Sequence, residues 1–180
     1  MVARKSSEDL RYAVWPTAWG PMGAAAGSGG LCRLVLPHYQ ADDILDLLSW
    51  EHPGAVRCER PFERLIALSL AYFRGEPVDF SEIECDLPGE RTFSGRVYRA
   101  CRKIQYGQTR SYSRLAMEIG REDAARAVAA AMGKNPVPLV VPCHRVTYAD
   151  GRPGGFSAAG GETLKRRMLD SEKTRRDERR

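Results

Sequence analysis

Residues 111–133 read SYSRLAMEIGREDAARAVAAAMG, and the spacing of apolar residues along them decides the class of the second half of the chain. After the turn at Gly107, the spacing predicts a short helix that begins at Ser111, carries Leu115 and Ile119 and stops at Gly120. A second helix, Glu122 to Met132, follows almost at once and ends at Gly133. Short helices joined by a glycine-containing turn have the sequence form of a helix-turn-helix. The second helix is unlike a major-groove reader, which uses several long polar side chains. It offers Ala124, Ala125, Ala127, Ala129, Ala130 and Ala131, with Arg126 as its long cation. Such a helix either comes close to a narrow groove, with Arg126 probing the minor groove or the base stack, or packs tightly inside a core. Spacing alone leaves both open.

Working outward, Thr92 caps a helix whose apolar face holds Phe93, Val97, Ala100, Cys101 and Ile104. On the other side, Asn135 to Pro142 (NPVPLVVP) contains three prolines, which exclude helix and predict an extended path. Asp150-Gly151 and Pro153-Gly154-Gly155 make a turn-rich loop suited to a wing. A last helix is expected from about Glu162 to Glu172, and Lys173 to Arg180, without an apolar residue, is expected to be disordered. The first half reads as mixed α/β. Ala24 to Gly30 suits a hairpin tip, and Leu31 to Leu36 a strand stopped by Pro37. Ala41 to Trp50 (Ile44, Leu45, Leu47, Leu48) and Pro61 to Phe73 (Phe62, Leu65, Ile66, Leu68, Leu70, Phe73) have helical spacing. A linker is placed near Leu87 to Arg91. The fold class is therefore α/β plus α, a small N-terminal α/β domain before a C-terminal helical domain of winged helix-turn-helix type.

The 180 residues, 43% apolar and 28% charged, suffice for a sizeable core. The longest apolar run, Leu65 to Phe73 interrupted by Ser69, is far short of a membrane span. The first residues (MVARKSSEDLRY) lack the apolar stretch of a secretory signal. Five cysteines, at 32, 58, 85, 101 and 143, include no C-x-x-C pair, which argues against a disulfide scaffold and for a reducing, cytoplasmic compartment. Residues 1–95 carry net −5, and residues 96–145 net +7. A polyanionic partner for the second half would account for this asymmetry, as would ordinary solvated faces.

The residues that carry chemistry are Pro142-Cys143-His144-Arg145-Val146. Imidazole suits removal of a thiol proton near neutral pH, and Arg145 adds positive charge that favours thiolate. Neighbours on an extended chain point to opposite sides, so a water or a local turn must link Cys143 to His144. In the last helix Leu164, Met168 and Glu172 fall at i, i+4 and i+8. Glu172 is then either a buried partner of His144 in a Cys–His–Glu relay or a solvated residue beyond the last buried turn. A nucleophile beside a DNA-binding helix suggests base flipping.

Taken together, these blocks closely resemble the O6-alkylguanine-DNA alkyltransferases. The match lies in Ser111-Tyr112, Ala125-Arg126-Ala127-Val128, Asn135-Pro136-Val137-Pro138, Pro142 through Val146, Gly155-Phe156-Ser157, Gly160-Gly161 and Lys165 through Glu172. It is strong over residues 92–172 and only topological over 1–88. The resemblance implies a ribonuclease H-like domain over 1–88, a DNA-binding and active-site domain over 92–172, and a basic tail over 173–180. It further implies that Ala125, Ala127 and Ala130 lie against the minor groove, while Arg126 fills the gap left by a flipped nucleotide. Cys143 would be the nucleophile, activated through water by His144 and then Glu172, with Asn135 holding the turn and Tyr112 donating a proton to the departing guanine. Met132, Val146, Phe156 and Ser157 would line the pocket, Phe156 standing where a tyrosine is usual. The implied reaction is irreversible transfer of an alkyl group to Cys143, without metal or organic cofactor, each molecule acting once.

The implied partner is double-stranded DNA containing O6-alkylguanine, with O4-alkylthymine left open, and no membrane; the chain is expected to be a monomer. Some members hold zinc in the first domain, but Cys32, Cys58, Cys85, His38 and His52 lack ligand-like spacing, so no zinc is expected. The rival readings are a lesion-binding protein without transfer, a helix-turn-helix regulator and a Cys–His–Glu hydrolase.

Overall fold

Small residues in the first half let a helix sit close on a sheet. The structure is a computed structural model that describes residues 10–156 and 158–177, with side chains as far as Thr174. Strands β1 (Arg11–Thr17), β2 (Gly20–Gly27) and β3 (Gly30–Val35) form an antiparallel meander, and β4 (Val56–Arg57) pairs parallel with β1. The strand order is β3-β2-β1-β4. Helix α1 (Ala41–Glu51) covers one face, where Ile44 and Leu48 pack on Val14, Ala25 and Val35. A Cβ at Gly23 would collide with the Ile44 side chain, so only glycine allows this approach. On the opposite face Ala13, Trp15, Met22, Ala24 and Leu34 join helix α2 (Glu63–Phe73) in a core that continues into the second half.

Three expectations change here. Ala24–Gly27 is strand, and the hairpin turns at Ser28 and Gly29; the small residues that suggest a tip instead make room for α1. Strand β1 had no counterpart in the sequence reading. The buried stripe of α2 is Leu65, Leu68, Ser69, Tyr72 and Phe73, with Ile66 and Leu70 half-buried. Ser69 is admitted to the core because its hydroxyl accepts the Trp15 indole N–H at 2.9 Å.

The second half contains α3 (Phe93–Arg102), β5 (Arg110–Ser111), α4 (Tyr112–Glu118), α5 (Ala125–Met132), β6 (Val146–Thr147) and α6 (Gly161–Asp177). Thr92 Oγ1 accepts the Gly95 N–H, and Ser111 Oγ accepts the Arg114 N–H, each at 3.1 Å; Thr92 is the expected cap of α3, and Ser111 caps α4 from outside it instead of beginning it. Gly120, at φ +70°, ends the α4 turn. Helix α5 begins three residues later than expected, because Glu122 and Asp123 form a turn closed by Ala124 N–H to Arg121 C=O at 3.0 Å. The tyrosine hydroxyl of Tyr98 on α3 donates to the Ala131 carbonyl at 3.0 Å and pins the end of α5. Strands β5 and β6 pair in parallel, Ser111 beside Thr147, and place the start of α4 next to Cys143–Arg145.

Asn135 to Pro142 is a compact turn, not an extended path. Val141 N–H donates to Val137 C=O at 2.9 Å, and buried Leu139 takes φ +79°. Proline excludes helix but its fixed φ suits the first inner position of a turn, which Pro138 supplies. Helix α6 also corrects an expectation, since Lys173–Asp177 is helical. Past Gly161 the segment contains neither glycine nor proline and is rich in Lys, Arg and Glu, which tolerate helix well. Residues 178–180 lie outside the described residues.

Candidate active site

The local turn that Cys143 and His144 require is present. After Pro142, Cys143–Arg145 form one turn of 3-10 helix, with Arg145 N–H donating to Pro142 C=O at 2.9 Å. The turn is held from behind by Asn135. Its Nδ2 donates to Val141 C=O at 2.8 Å and lies 3.1 Å from Cys143 Sγ, while its Oδ1 accepts the Val137 N–H at 3.1 Å. Cys143, Asn135 and His144 are all buried.

His144 Nε2 lies 2.8 Å from Glu172 Oε1. A carboxylate can only accept, so the imidazole proton sits on Nε2 and Nδ1 keeps its lone pair. Nδ1 is buried and has no hydrogen-bond partner among the described residues. Glu172, on α6, is 1% exposed. Arg145 holds it through Nε at 3.0 Å to Oε2 and Nη2 at 3.0 Å to Oε1, and the Gly107 N–H donates to Oε2 at 2.8 Å. Arg145 is itself fixed by Nη1 to the Ile104 carbonyl at 2.7 Å. Thus α6, the 3-10 turn and the segment after α3 meet at one carboxylate.

Burial sets the protonation states. It pushes the Cys143 thiol up to about 11, against the Asn135 hydrogen bond and the Lys165 ammonium, which pull it down. Burial lowers His144 more than Glu172 raises it, so the imidazole is neutral near pH 7. Burial alone would raise the Glu172 carboxyl, but His144 and Arg145 hold it down at about 2. The resting relay is therefore thiol, neutral imidazole and carboxylate, with a buried lone pair ready to take a proton.

Tyr112, the first residue of α4, closes another side. Lys165, fully buried on α6, donates to Tyr112 Oη at 3.2 Å and to the Val146 carbonyl at 2.6 Å. Burial raises the Tyr112 phenol to about 12, so it remains a proton carrier. Met132 and Val146 are buried, and Phe156 is half-buried against the core. Ser157 lies outside the described residues. On α5, Val128, Ala131 and Met132 face inward, Ala125 is half-buried, and Arg126, Ala127 and Ala130 are exposed. The alanine helix thus has a core face and a smooth outer face that carries one arginine.

A family profile described as "6-O-methylguanine DNA methyltransferase, DNA binding domain" matches residues 92–174. A methylated-DNA–protein-cysteine methyltransferase of Mycobacterium tuberculosis is 48% identical over 105 residues, 58% of this chain and 61% of that protein. The match therefore spans about three fifths of the mycobacterial relative's length. A protein of the same description from Methanosarcina acetivorans is 41% identical over 165 residues, 91% of this chain and 98% of its own length. The chain belongs to the methylated-DNA–protein-cysteine methyltransferase family. The structure of Mycobacterium tuberculosis OGT in complex with DNA superposes on this methyltransferase-family fold with a TM-score of 0.75 at 36% identity, covering 92% of this chain and 94% of that one.

Several residues of this methyltransferase-family site escaped the sequence reading. Lys165 falls at i−3 from Met168 and i−7 from Glu172, the same buried face, and helical periodicity would have found it. Arg145 was read as a source of positive charge near the thiol, yet its guanidinium is spent on Glu172. Tyr72 Oη donates to Glu172 Oε1 at 2.9 Å from α2 in the first half. Its signal was a polar-headed aromatic on the buried stripe of that helix.

Proposed function

We propose that the protein repairs O6-methylguanine in double-stranded DNA by moving the methyl group irreversibly to Cys143. The observation that carries this reading is the buried Cys143–His144–Glu172 arrangement, with Asn135 against the sulfur and His144 Nδ1 without a partner among the described residues. Family membership supports it, as does the solved complex of the mycobacterial neighbour with DNA.

The thiol proton passes through a water to His144 Nδ1, and Glu172 stabilises the imidazolium that forms. The thiolate attacks the O6-methyl carbon; an S–C bond forms as the C–O6 bond breaks, and the electron pair passes into guanine. Tyr112 donates its proton to the ring as that charge develops, with the Lys165 ammonium beside the phenol easing its loss. A thioether is not hydrolysed, so each molecule acts once. Substrate enters as a flipped base: Ala125, Ala127 and Ala130 lie along the minor groove and Arg126 fills the vacated stack. The loop around Tyr148–Pro153 serves as the wing, and Phe156 closes the base pocket. The protein works as a monomer. The range of substrates extends to O4-alkylthymine only if the pocket accepts the smaller ring.

Single-turnover incubation with duplex DNA carrying O6-methylguanine, read by peptide mass spectrometry, tests the reading. One methyl group on the peptide holding Cys143, stoichiometric and stable, is the expected result. Tight binding of the lesion without methylation would make the chain a lesion sensor instead.

A further inference from the structure

The proton relay is not confined to the second half. Tyr72, 2% exposed on α2, donates its hydroxyl to Glu172 Oε1 at 2.9 Å, and the same oxygen lies 3.4 Å from His144 Nε2. Its ring is held edge-on by Tyr106 at 6.0 Å and by His144 at 6.2 Å, with Phe80 also at 6.2 Å. The hydroxyl therefore has a fixed direction. It shares Oε1 with the imidazole N–H, and each donor on a carboxylate oxygen reduces what that oxygen offers to the others.

Resting on the reading of Cys143 as methyl acceptor, we propose that Tyr72 is a positioning residue. Its hydroxyl, supplied from the first half, holds the Glu172 carboxylate and limits how strongly that carboxylate draws a proton onto His144. Without it, Glu172 becomes a better partner for the imidazolium, and His144 is lost as a neutral base at a higher pH. The other charged or titratable groups around the pair are Arg145 on Glu172, Tyr106 under the Arg145 guanidinium at 5.7 Å, Lys165 from α6, Cys143 and, from α3, Cys101. Arg145 and the Gly107 N–H still anchor Glu172 when the tyrosine hydroxyl is removed, so the carboxylate stays in place and its basicity changes. The first half thereby contributes to the chemistry as well as to the core.

The test is Tyr72→Phe in the full chain, with single-turnover transfer from O6-methylguanine duplex followed between about pH 5 and pH 9. The acid limb is expected to move to higher pH by roughly half a unit to one unit. Affinity for the lesion duplex, measured in a Cys143→Ser background, stays within about twofold. Nitrogen-15 shifts of His144 should titrate at correspondingly higher pH. Coincident profiles, a shift to lower pH, or a loss of rate uniform across pH with a lower melting temperature would overturn the proposal. Replacing Tyr72 by 3-fluorotyrosine, a stronger donor of nearly the same shape, keeps the test available if the phenylalanine variant does not fold. It should move the limb to lower pH, and an unmoved limb overturns the proposal. If the parent protein never methylates Cys143, the functional reading fails, and the His144 titrations still decide the role of Tyr72.

Discussion

Asn135 and Cys143, eight residues apart, are joined by an amide N–H that lies 3.1 Å from the sulfur. The second amide proton goes to Val141 C=O and the amide oxygen accepts the Val137 N–H, so one side chain fixes both the turn and the Cys143 sulfur. The contact is also among the features that lower the thiol's tendency to hold its proton.

Asn135→Ala removes the donor to sulfur and leaves the Val137 N–H unpaired, at a cost of about 1–3 kcal/mol when buried, while the Val141 carbonyl keeps the Cys143 N–H at 2.7 Å. The melting temperature should fall, and transfer should slow by about one to two orders of magnitude. Asn135→Asp keeps an acceptor for Val137 but sets a negative charge beside the developing thiolate. Its rate should fall below that of the alanine variant relative to its stability. Thermal melts and single-turnover rates on the same preparations check this, and an Asp variant as fast as the parent would exclude the donor role.

Arg126 is exposed on the outer face of α5, beside Ala127 and Ala130. Filling a vacated base stack offsets an unstacking cost of a few kcal/mol, so Arg126→Ala should slow transfer from duplex DNA by about 10- to 100-fold. Transfer from the free alkylguanine base involves no stack and should change by less than about twofold. Equal losses on the two substrates would remove the intercalating role. Duplex binding should also weaken steeply with salt, as counterion release requires.

The parts of this fold that were legible share one property, in that local chemistry decides them. Thr92 caps its helix because a hydroxyl can satisfy an orphan N–H in the next turn, and no distant residue enters that choice. Glu172 was readable as a carboxylate on an apolar face, though spacing left its burial undecided. What escaped depends on distant partners. Gly23 to Ala26 look like a turn unless Ile44 and Leu48 are known to lie on them. The prolines of 136–142 exclude helix, but the turn they form is chosen by Asn135 and by Leu139 at φ +79°. Tyr72 reaches Glu172 only because the fold brings α2 against α6, 100 residues away in sequence.

Acid should unfold the protein through the same carboxylate. Glu172 sits at about 2 in the folded chain against an ordinary value of 4.5. A depressed folded value means that its stabilisation is complete above about 4.5 and lost as pH falls toward 2. The difference amounts to about 3 kcal/mol. His144, buried and lowered, acts in the same direction: the unfolded chain takes up its proton first as pH falls below about 6.5. Melting temperature should therefore decline from near pH 6.5 and fall steeply below pH 4.5. Glu172→Gln should flatten the lower part of that curve. It should also cost about 3–5 kcal/mol at neutral pH, because the Arg145 guanidinium is left buried without its charge partner. Calorimetry across this range checks both, and a glutamine variant with the parent's acid profile would place the transition elsewhere.

Gly154 separates the position of Tyr112 from its chemistry. The glycine is buried, and a Cβ there would collide with the Tyr112 hydroxyl and approach its ring edge at 2.9 Å. That hydroxyl is held by Lys165 at 3.2 Å, and its ring meets Tyr148 at 64° with centroids 5.5 Å apart. The ring cannot yield without breaking one of these contacts. Gly154→Ala should therefore displace the phenol by roughly the radius of a methyl group, and a shift of that size costs about 100-fold in rate when the group must meet a reacting atom. Binding of the lesion duplex and the methylation site on Cys143 should persist, because α5 and the Asn135 turn are untouched. Tyr112→Phe lacks the hydroxyl altogether and should be about as slow, and the double variant no slower than either single one, since displacement and deletion remove the same proton donor. Losses that multiply in the double variant would show that Gly154 acts on some group other than Tyr112.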